Sequence, residues 1–545
     1  MSIYRKFCRE TVTEDGKLLD IEFDYPDNFN FGYDVVDAVA ASDPSRRAIV
    51  WSDAESHDRV FTFADIRDES NRVANVLSAT GIGRGDRVMV ALKRHFEYWF
   101  AAIALHKLGA VMIPVTHMLT VPDLVFRLRA ADVVAVISTP QDHMPEKVLA
   151  AQNEAGTDAI LWSVGSGAPG FRDLSEEAAA AAATLERRDT RVTDPMLLYF
   201  TSGTTGDPKG VFHDFAYPLA HIVTAKYWQR AEPGGLHFTV AETGWAKASW
   251  GKLYGQWLVG SAVMVYDFDH FDPQKLASVI NRCGVTSFCA PPTIYRYMAR
   301  RGFPAMPGLR HASTAGETLS AEIFRRFEEQ TGLALAEGYG QTETTLLTAN
   351  FKGDSPVAGA MGTPSPLYDV KLIDENGEIC ADGEVGEVVV VPRAGERPIG
   401  VFSGYLSGEA AYAEAWRGGV YHTGDAAKRD SDGILYFFGR FDDIIKTGGF
   451  RVGPGEVENA IQGHPAVLEV TVIGVPDALR GQAIKAIIVL ADGYEPGKEL
   501  YREIKEFANH KLAEYKWVRI IEFVEEMPKT ISGKIRKKTL REAVV

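Results

Sequence analysis

A short segment of this chain concentrates residues that could hold a phosphate group. It runs from Tyr199 to Gly210 and overlaps an apolar stretch, Met196–Phe200, that predicts a β-strand. Glycines let the backbone approach a ligand closely, so that successive N–H groups and hydroxyls can surround phosphate oxygens. Residues of these types, with one lysine, are Thr201, Ser202, Gly203, Thr204, Thr205, Gly206 and Lys209. The spacing differs from that of a Walker A loop, and a plain surface turn fits the composition about as well.

A second glycine-rich segment, Gly165–Gly170, matches the dinucleotide-binding pattern G-x-G-x-x-G. That motif requires a helix to begin inside the loop, so that the helix N-terminus meets the pyrophosphate. Here Pro169 lacks an N–H group, and the helical pattern begins only after Asp173. A plain linker is the better interpretation, and a nicotinamide-dependent oxidoreductase is the alternative that this segment leaves open.

The first of these loops resembles the phosphate-binding signature of the adenylate-forming superfamily, which includes acyl-CoA synthetases, adenylation domains of peptide synthetases, and luciferases. Four further segments of that superfamily follow in the right order. They are Glu337–Glu343, Tyr421–Asp425, Gly439–Arg451 and Pro528–Lys534. Within the superfamily the chain most resembles the medium-chain acyl-CoA synthetase branch, beside the AMP-forming acetyl-CoA synthetases.

This resemblance implies a reaction of ATP, a small-molecule carboxylic acid and coenzyme A, with Mg²⁺ as the associated ion. The products would be acyl-CoA, AMP and pyrophosphate, formed through an acyl-adenylate. The carboxylate and the α-phosphate repel each other, so positioning and charge neutralisation matter most. No general base is required, because a carboxylic acid is already ionised at pH 7. Adenylation for a separate carrier protein and an aryl-CoA ligase are the alternatives within the same class.

Three residues carry catalysis on this resemblance. Lys534 would bridge the attacking carboxylate and the α-phosphate, and its flanking residues Ser532 and Gly533 fit a mobile loop. Thr342 would contact the α-phosphate. Glu343 would bind Mg²⁺, which takes one or two carboxylates together with phosphate oxygens. Without the resemblance, Lys534 would be interpreted as a solvated lysine in a basic tail.

The resemblance also implies a nucleotide pocket. Tyr339 would stack on adenine, and Gly316 with Glu317 would form the second wall. Asp425 would accept hydrogen bonds from the ribose hydroxyls, and Arg440 would support the ribose or the phosphate. The residues implied for ATP or AMP are Thr201, Ser202, Gly203, Thr204, Thr205, Gly206, Lys209, Gly316, Glu317, Glu337, Gly338, Tyr339, Gln341, Thr342, Asp425, Arg440 and Arg451.

Thioester formation requires the same active site to be reshaped between two half-reactions. The resemblance implies that a small C-terminal domain rotates about a hinge at Asp442, presenting Lys534 first and residues 446–451 second. Two consecutive glycines in that segment lack side chains and would line a narrow pantetheine tunnel. The residues implied for CoA are Gly448, Gly449, Phe450 and Arg480.

The acyl pocket is expected between Trp245 and Gly340. In acetate-specific relatives a tryptophan immediately precedes the Gln-Thr-Glu sequence, where this chain has Gly340. Replacing an indole by hydrogen would open a large volume, which favours a medium-chain or branched fatty acid over acetate. Lys247 and Lys252 are unusual so near an apolar pocket. They could shorten it, meet a polar substrate or reach solvent, and the sequence leaves the three alternatives open.

The elements that must position these residues suggest an α/β fold. Helical patterns such as Glu97–Leu108 alternate with strand-like runs such as Val111–Val115 and Ala262–Tyr266, which is typical of parallel sheets flanked by helices. From about Val370, Asp-Gly and Asn-Gly pairs indicate hairpins and a small β lobe. We therefore predict a large N-terminal domain, residues 1–441, followed by a small mobile α+β C-terminal domain, residues 442–545.

Composition narrows the class of protein further. The 545 residues carry a formal net charge of −15, which argues against general nucleic-acid binding. Four cysteines are too few for a disulfide framework and lack zinc-site spacing. The N-terminus lacks the apolar region of a signal peptide, and no stretch approaches the roughly 18 apolar residues of a membrane span. We expect a cytoplasmic enzyme without an integral membrane segment, and homo-oligomer formation stays open.

Overall fold

The computed structural model of the chain describes residues 2–165, 167–201, 208–317, 319–529 and 535–542. These residues form five β-sheets with helices packed between and around them. The smallest sheet is an antiparallel ribbon near the N-terminus, made of Cys8–Val12 and Leu18–Phe23. The architecture confirms the predicted α/β class, with parallel sheets in the large N-terminal part.

The first large sheet carries the strands on either side of the phosphate-loop segment. Its strands, in spatial order, are Gly404–Tyr405, Lys209–Asp214, Pro195–Thr201, Val111–Pro114, Arg87–Ala91, Ala135–Ser138, Ile160–Ser163 and Arg172–Asp173. The strands from Pro195–Thr201 onward are parallel, and Lys209–Asp214 returns antiparallel to Pro195–Thr201. The hairpin register pairs Thr201 with Lys209, which fixes both ends of the loop between them.

The second large sheet carries the Glu337–Glu343 motif. Its strands, in spatial order, are Thr363–Pro364, Leu346–Ala349, Leu335–Gly340, His311–Ala315, Ser287–Ala290, Leu236–Thr239, Ala262–Tyr266, Arg47–Ser52 and Asp58–Thr62. The strands from Leu335–Gly340 to Arg47–Ser52 are parallel. Ala262–Tyr266 is buried at every residue, as expected for a parallel strand that helices cover on both faces.

Two smaller sheets follow along the chain. Asp369–Ile373, Val385–Val391, Tyr421–Arg429 and Leu435–Arg440 form an antiparallel sheet, the β lobe that the turn signals predicted. The last sheet contains Phe450–Val452, Ile445–Thr447, Gly481–Leu490, Val467–Asp477 and Ile520–Phe523. A 3₁₀ turn, Phe441–Asp443, connects the two sheets.

Helices of the described residues lie mainly on the two large sheets. In the N-terminal part they are Ala38–Ser42, Phe63–Ala79, Glu97–Leu108, Val121–Ala130, Met144–Ala155, Leu174–Ala180, Tyr217–Val223, Ala246–Gly251, Tyr254–Val259, Pro273–Cys283, Pro292–Arg300, Ala321–Thr331 and Glu409–Ala415. In the C-terminal part they are Pro454–Gln462, Lys498–His510 and Lys537–Glu542.

Helix boundaries follow local sequence signals. Phe63–Ala79 begins with a capping box, in which Thr62 and Asp65 satisfy each other's backbone N–H groups. Glu97–Leu108 is buried from Tyr98 onward and ends at Gly109, which adopts the left-handed conformation of a helix C-cap. A helix that is apolar on all sides belongs inside the protein, and this one fills the largest apolar core.

The helix that follows the Gly165–Gly170 segment begins outside it, which disfavours a dinucleotide loop. The next helix, Leu174–Ala180, begins after Asp173, whose side chain accepts a hydrogen bond from the Glu176 N–H group. The helix N-terminus is therefore capped by Asp173 and lies outside the glycine segment, as the sequence predicted.

In the described part of the chain no helix is long and apolar enough to cross a membrane.

Candidate active site

Lys209, at the C-terminal end of the phosphate-loop segment, lies near the Glu343 carboxylate. Ser202, Gly203, Thr204, Thr205 and Gly206 fall outside the described residues, but the strand ends at Thr201 and Lys209 are placed. The Lys209 Nζ lies 5.7 Å from the centre of the Tyr405 ring. The Tyr405 hydroxyl donates a 3.0 Å hydrogen bond to Glu343 Oε1. Tyr405 thus brings the loop's lysine and the predicted metal ligand to one place.

A buried carboxylate, that of Asp425, joins three of the predicted motifs. Its Oδ2 accepts hydrogen bonds from the Tyr339 hydroxyl at 2.7 Å and from Gln341 Nε2 at 2.6 Å. Its Oδ1 accepts one from Arg440 Nη1 at 3.2 Å, across the antiparallel pair that sets these two residues opposite each other. Gln341 is oriented in turn by the Tyr421 hydroxyl, 2.7 Å from its Oε1. A carboxylate offers about four acceptor positions, and three are used here, so Asp425 keeps about one for a ligand hydroxyl.

The two predicted adenine walls come from adjacent parallel strands. Ala315 pairs in register with Gly338, which sets Gly316 next to Tyr339. Gly316 has φ +102°, a left-handed conformation that favours glycine. Glu317 is exposed and directs its carboxylate to Thr293 Oγ1 at 2.7 Å and Arg296 Nη2 at 2.5 Å. The Glu317 side chain therefore accepts hydrogen bonds from the neighbouring helix Pro292–Arg300.

Thr342 and Glu343 are held by groups that the sequence did not single out. His213 Nε2 donates to the Thr342 carbonyl at 2.7 Å, and burial lowers the pKa of His213 to about 3. His213 is therefore neutral. Burial raises the pKa of Glu343, while Tyr405, Lys209 and Arg440 act in the opposite direction. An oxygen ligand beside the phosphate loop fits Mg²⁺, which prefers carboxylate and phosphate oxygens.

Glu337 and Gly338 pack against other residues of the protein, and neither exposes a side chain to a ligand. A Cβ at Gly338 would lie 2.7 Å from Cε2 of Trp228, so the indole occupies that space. Glu337 is 7% exposed, and its Oε1 lies 3.5 Å from the Leu319 backbone N. Burial raises the pKa of Glu337 to about 8. These two residues shape the strand that carries Tyr339.

The expectation that Gly340 opens a large acyl volume is wrong. A Cβ at Gly340 would lie 2.3 Å from the Thr345 carbonyl oxygen and 2.6 Å from Cη2 of Trp250. The space freed by the missing side chain is therefore filled from another element, the helix Ala246–Gly251. Trp245 is half-buried at the start of the same helix.

The two lysines near the pocket differ. Lys247 Nζ donates to the Ala315 carbonyl at 2.6 Å, which braces the strand end that leads into Gly316. Lys252 is 1% exposed, and burial lowers its pKa to about 7. The Lys252 side chain therefore does not reach solvent, which excludes one of the three alternatives for this residue.

The predicted CoA residues lie in the last sheet. Gly448 and Gly449 form the turn of a hairpin, with φ +57° and +83°, and the Gly448 N–H donates to the Arg480 carbonyl at 2.9 Å. Phe450 is exposed and stacks on Tyr515 with ring centres 4.4 Å apart. These contacts bring the CoA set together within the small sheet.

Three other predicted residues, Arg451, Asp442 and Lys534, differ in what the structure describes. Arg451 forms a 2.7 Å ion pair with Glu375 of the β lobe, and its phosphate contact stays a prediction. Asp442 has its backbone in the 3₁₀ turn Phe441–Asp443 that connects the last two sheets. Lys534 lies outside the described residues.

Glu337→Gln should make the protein less sensitive to alkaline pH. The pKa of Glu337 is about 8 in the folded protein against an ordinary 4.5, so folding holds a proton that the unfolded chain releases. Its destabilising contribution therefore grows as pH rises from 4.5 and is complete above 8. We expect the Tm advantage of the variant to be larger at pH 9 than at pH 6 by about 2 °C or more. The exposed Glu322→Gln is the control, and a pH-independent difference for Glu337→Gln would contradict the assignment.

Comparison with known proteins agrees with this arrangement. The family model "AMP-binding enzyme" matches residues 36–406, and "AMP-binding enzyme C-terminal domain" matches residues 456–534. The human protein "Acyl-coenzyme A synthetase ACSM3, mitochondrial" is 34% identical over 535 residues, which cover 96% of this chain and 91% of that protein. "4-hydroxybutyrate--CoA ligase 1" of Metallosphaera sedula is 39% identical, covering 94% of this chain and 90% of that protein.

Solved structures give the same result. The anthranilate CoA ligase AuaEII in complex with anthranoyl-AMP has a TM-score of 0.86 and 28% identity, covering 95% of this chain and 98% of that chain. ATP-bound MatB from Rhodopseudomonas palustris has a TM-score of 0.80 and 26% identity, covering 93% and 99%. The chain therefore belongs to the AMP-binding enzyme family and is an AMP-forming acyl-CoA synthetase, which uses ATP and CoA to convert a carboxylic acid into its CoA thioester.

Proposed function

We propose that the Asp425 cluster and Glu343 form the adenylation centre of this acyl-CoA synthetase, and that it activates a short- to medium-chain aliphatic acid. The observation that carries the site assignment is the position of Asp425. Its carboxylate joins Tyr339, Gln341 and Arg440, and so aligns a ring for adenine with acceptors for ribose. Glu343 and Lys209 both contact Tyr405, and Arg440 of the cluster acts on the Glu343 carboxylate, so the phosphates of a nucleotide bound there would extend toward them.

The proposed chemistry is electrostatic. The acid reaches the α-phosphate as a carboxylate, so attack requires neutralised charge and alignment more than a base. Mg²⁺ held by Glu343 would supply much of that neutralisation. Thr342, whose carbonyl is fixed by neutral His213, would orient the α-phosphate. Lys534 would bridge the two anions, in agreement with its place in the matched C-terminal family segment.

The identity of the carboxylic acid is the more specific part of the proposal. Trp250 closes the space beside Gly340, so an acyl chain must run elsewhere along the wall between Trp245 and Tyr339. The relative named as a 4-hydroxybutyrate–CoA ligase supports an aliphatic acid for this chain. An aryl acid is the second candidate, because the structural relative AuaEII is an anthranilate CoA ligase.

The second half-reaction requires a movable small domain. We place the boundary between residues 1–441 and 442–545, with Asp442 as the hinge. The 3₁₀ turn at this point, between two sheets with separate cores, supports the placement. In the second orientation Gly448 and Gly449 would line the pantetheine path, and Arg480 would meet CoA phosphates.

The free thiols of the cysteines are consistent with a reducing compartment. Cys8, Cys283, Cys289 and Cys380 are all unpaired, which is usual in the cytoplasm and in the mitochondrial matrix. We propose the cytoplasm, and relatives with "mitochondrial" in their names make the matrix the alternative.

An acid panel tests the proposed function. ATP–pyrophosphate exchange is measured with straight acids from acetate to octanoate, with branched acids and with benzoate, and the thioester is then measured with CoA. We expect strongest exchange with an aliphatic acid larger than acetate. Exchange confined to benzoate-type acids would transfer the proposal to aryl acids. Exchange without CoA thioester would favour a carrier-protein acceptor and contradict the proposal.

Asp425→Asn should weaken nucleotide binding. The neutral amide loses the charge that accepts from Tyr339, Gln341 and the ribose, and hydrogen bonds to charged groups contribute about 1.5–3 kcal/mol. We expect the KM for ATP to rise about 10- to 100-fold. Asp430→Asn is the matched control, because Asp430 also accepts hydrogen bonds, from the Asp432 and Ile434 N–H groups, but in a turn at the far end of the same strand pair. Equal effects of the two variants would rule out the ribose role.

Trp250→Ala should lengthen the preferred acid. Removal of the indole opens the volume beside Gly340, so octanoate should gain on butanoate by at least about tenfold in kcat/KM. Trp257→Phe is the control, since Trp257 is fully buried and bonds to the Ala48 carbonyl. Retained activity with an unchanged preference in Trp250→Ala would place the acyl chain elsewhere.

Two substitutions should separate the half-reactions. Lys534→Ala should abolish exchange while ATP binding persists, because the bridge between two anions is lost. Gly449→Leu should spare exchange and block thioester formation, because a side chain would narrow the pantetheine path. Gly493→Leu is the control, a turn glycine of the last sheet's region with a similar φ of +89° and open space around it. If Lys534→Ala and Gly449→Leu failed equally in exchange, the two-orientation account would be wrong.

A further inference from the structure

Lys252 stands apart from other buried lysines of this protein. Lys107 is fully buried and donates to Asp37 and Asn71, both at 2.7 Å. Lys252 is 1% exposed, yet its ammonium has no hydrogen bond or ion pair to any residue that the structure describes. A buried ammonium normally has a partner, because loss of hydration is otherwise uncompensated. None of the residues that the structure describes therefore supplies the partner that the Lys252 ammonium requires.

The position of Lys252 connects it with the acyl pocket. It directly follows the helix Ala246–Gly251, which carries Trp250 against Gly340. Its backbone is fixed, since its N–H donates to the Ala248 carbonyl at 2.8 Å and its carbonyl accepts from Trp99 Nε1 at 2.7 Å. The side chain therefore starts from a rigid point inside the protein, beside the wall that limits the acid.

The charged groups around Lys252 leave one acceptor free. Burial and Arg94 lower the pKa of Lys252, whereas Asp267 and Glu242 raise it, and the result is about 7. Asp267 is already engaged by Arg94, 3.7 Å away. Glu242 directs Oε1 toward His117 Nδ1 at 3.5 Å, while its Oε2 is buried with no hydrogen-bond partner among the described residues. Among the described residues, Lys252 Nζ is thus an unpaired donor and Glu242 Oε2 an unpaired acceptor. They lie on either side of the helix Ala246–Gly251 and do not bond to each other.

We propose that the Lys252 ammonium and Glu242 Oε2 bind a hydroxyl group at the far end of the acyl chain, so that the preferred substrates are hydroxy acids. This rests on the proposed adenylation function and names its substrate class. A hydroxyl both accepts from Lys252 and donates to Glu242, so it satisfies both orphan groups at once. A methyl end satisfies neither, and a second carboxylate offers only acceptors to Glu242 and repels its charge.

Matched acids test the proposal in the wild-type enzyme. Exchange is measured with butanoate, pentanoate and hexanoate, with their 4-, 5- and 6-hydroxy derivatives, and with succinate, glutarate and adipate. We expect kcat/KM for at least one hydroxy acid to exceed that of its unsubstituted parent and its matched dicarboxylate by about tenfold or more. A preference for the unsubstituted acid or for the dicarboxylate at every length would overturn the proposal.

Lys252→Met then identifies the residue responsible. It keeps the side-chain length and removes the charge, so the ratio of hydroxy acid to parent acid should fall by about tenfold, while exchange with the parent acid persists or rises. Lys485→Met is the control, because Lys485 is a buried lysine paired with Glu522 at 2.6 Å in the last sheet. The control should leave the ratio unchanged. An unchanged ratio in Lys252→Met would overturn the assignment.

The panel separates this inference from the proposed function. No exchange with any acid, hydroxylated or not, would refute the adenylation function itself. Exchange with plain acids and no hydroxy preference in the wild type would refute only the role of Lys252. If Lys252→Met fails to fold, the wild-type ratios still decide.

Discussion

The proposed active site depends on a single buried carboxylate, that of Asp425. Asp425 lies on a strand of the β lobe, whereas Tyr339 and Gln341 lie at the end of a strand in the second large sheet and just beyond it. The hydrogen bonds between them are therefore also among the contacts that orient one sheet on the other. Because Asp425 is 5% exposed, these bonds lie where competition from water is weak and each is correspondingly strong. Displacing the lobe would separate the proposed ribose acceptor from the proposed adenine wall.

Local charge explains how an acidic protein can bind a polyphosphate. The net charge of −15 is a sum over the whole chain, whereas Lys209 and Arg440 both act on the Glu343 carboxylate. Interactions among partly buried charges are screened less than those at the surface, so a few cations at a cleft outweigh a distant acidic surface. The same reasoning explains why burial raises the pKa of Glu343 while its neighbours favour the ionised form that a metal ion requires.

Much of the fold and the motif geometry could be predicted from the sequence, because both follow from local patterns. The helix Glu97–Leu108 and the strand Ala262–Tyr266 have the predicted bounds, since continuous apolar runs and a terminal glycine define them. The contact of Trp250 with Gly340 could not be predicted, because it joins residues 90 positions apart through the packing of a six-residue helix. Tyr405 and His213 were missed for the same reason, since neither belongs to a recognisable motif. Arg451 shows a further limit: the motif gives its identity, but its partner depends on how the last sheet lies against the β lobe.

The contacts between the last sheet and the β lobe are compatible with the proposed rotation of the C-terminal domain. Glu375 pairs with Arg451 at 2.7 Å and with Lys446 at 3.4 Å, and all three side chains are substantially exposed. Exposed ion pairs contribute only about 0–1 kcal/mol each and weaken with salt, so they orient a domain without locking it. Arg451 can therefore exchange the Glu375 carboxylate for a phosphate of similar charge and geometry at small cost. The two orientations proposed for the half-reactions would then differ little in energy, which lets ATP or CoA select between them.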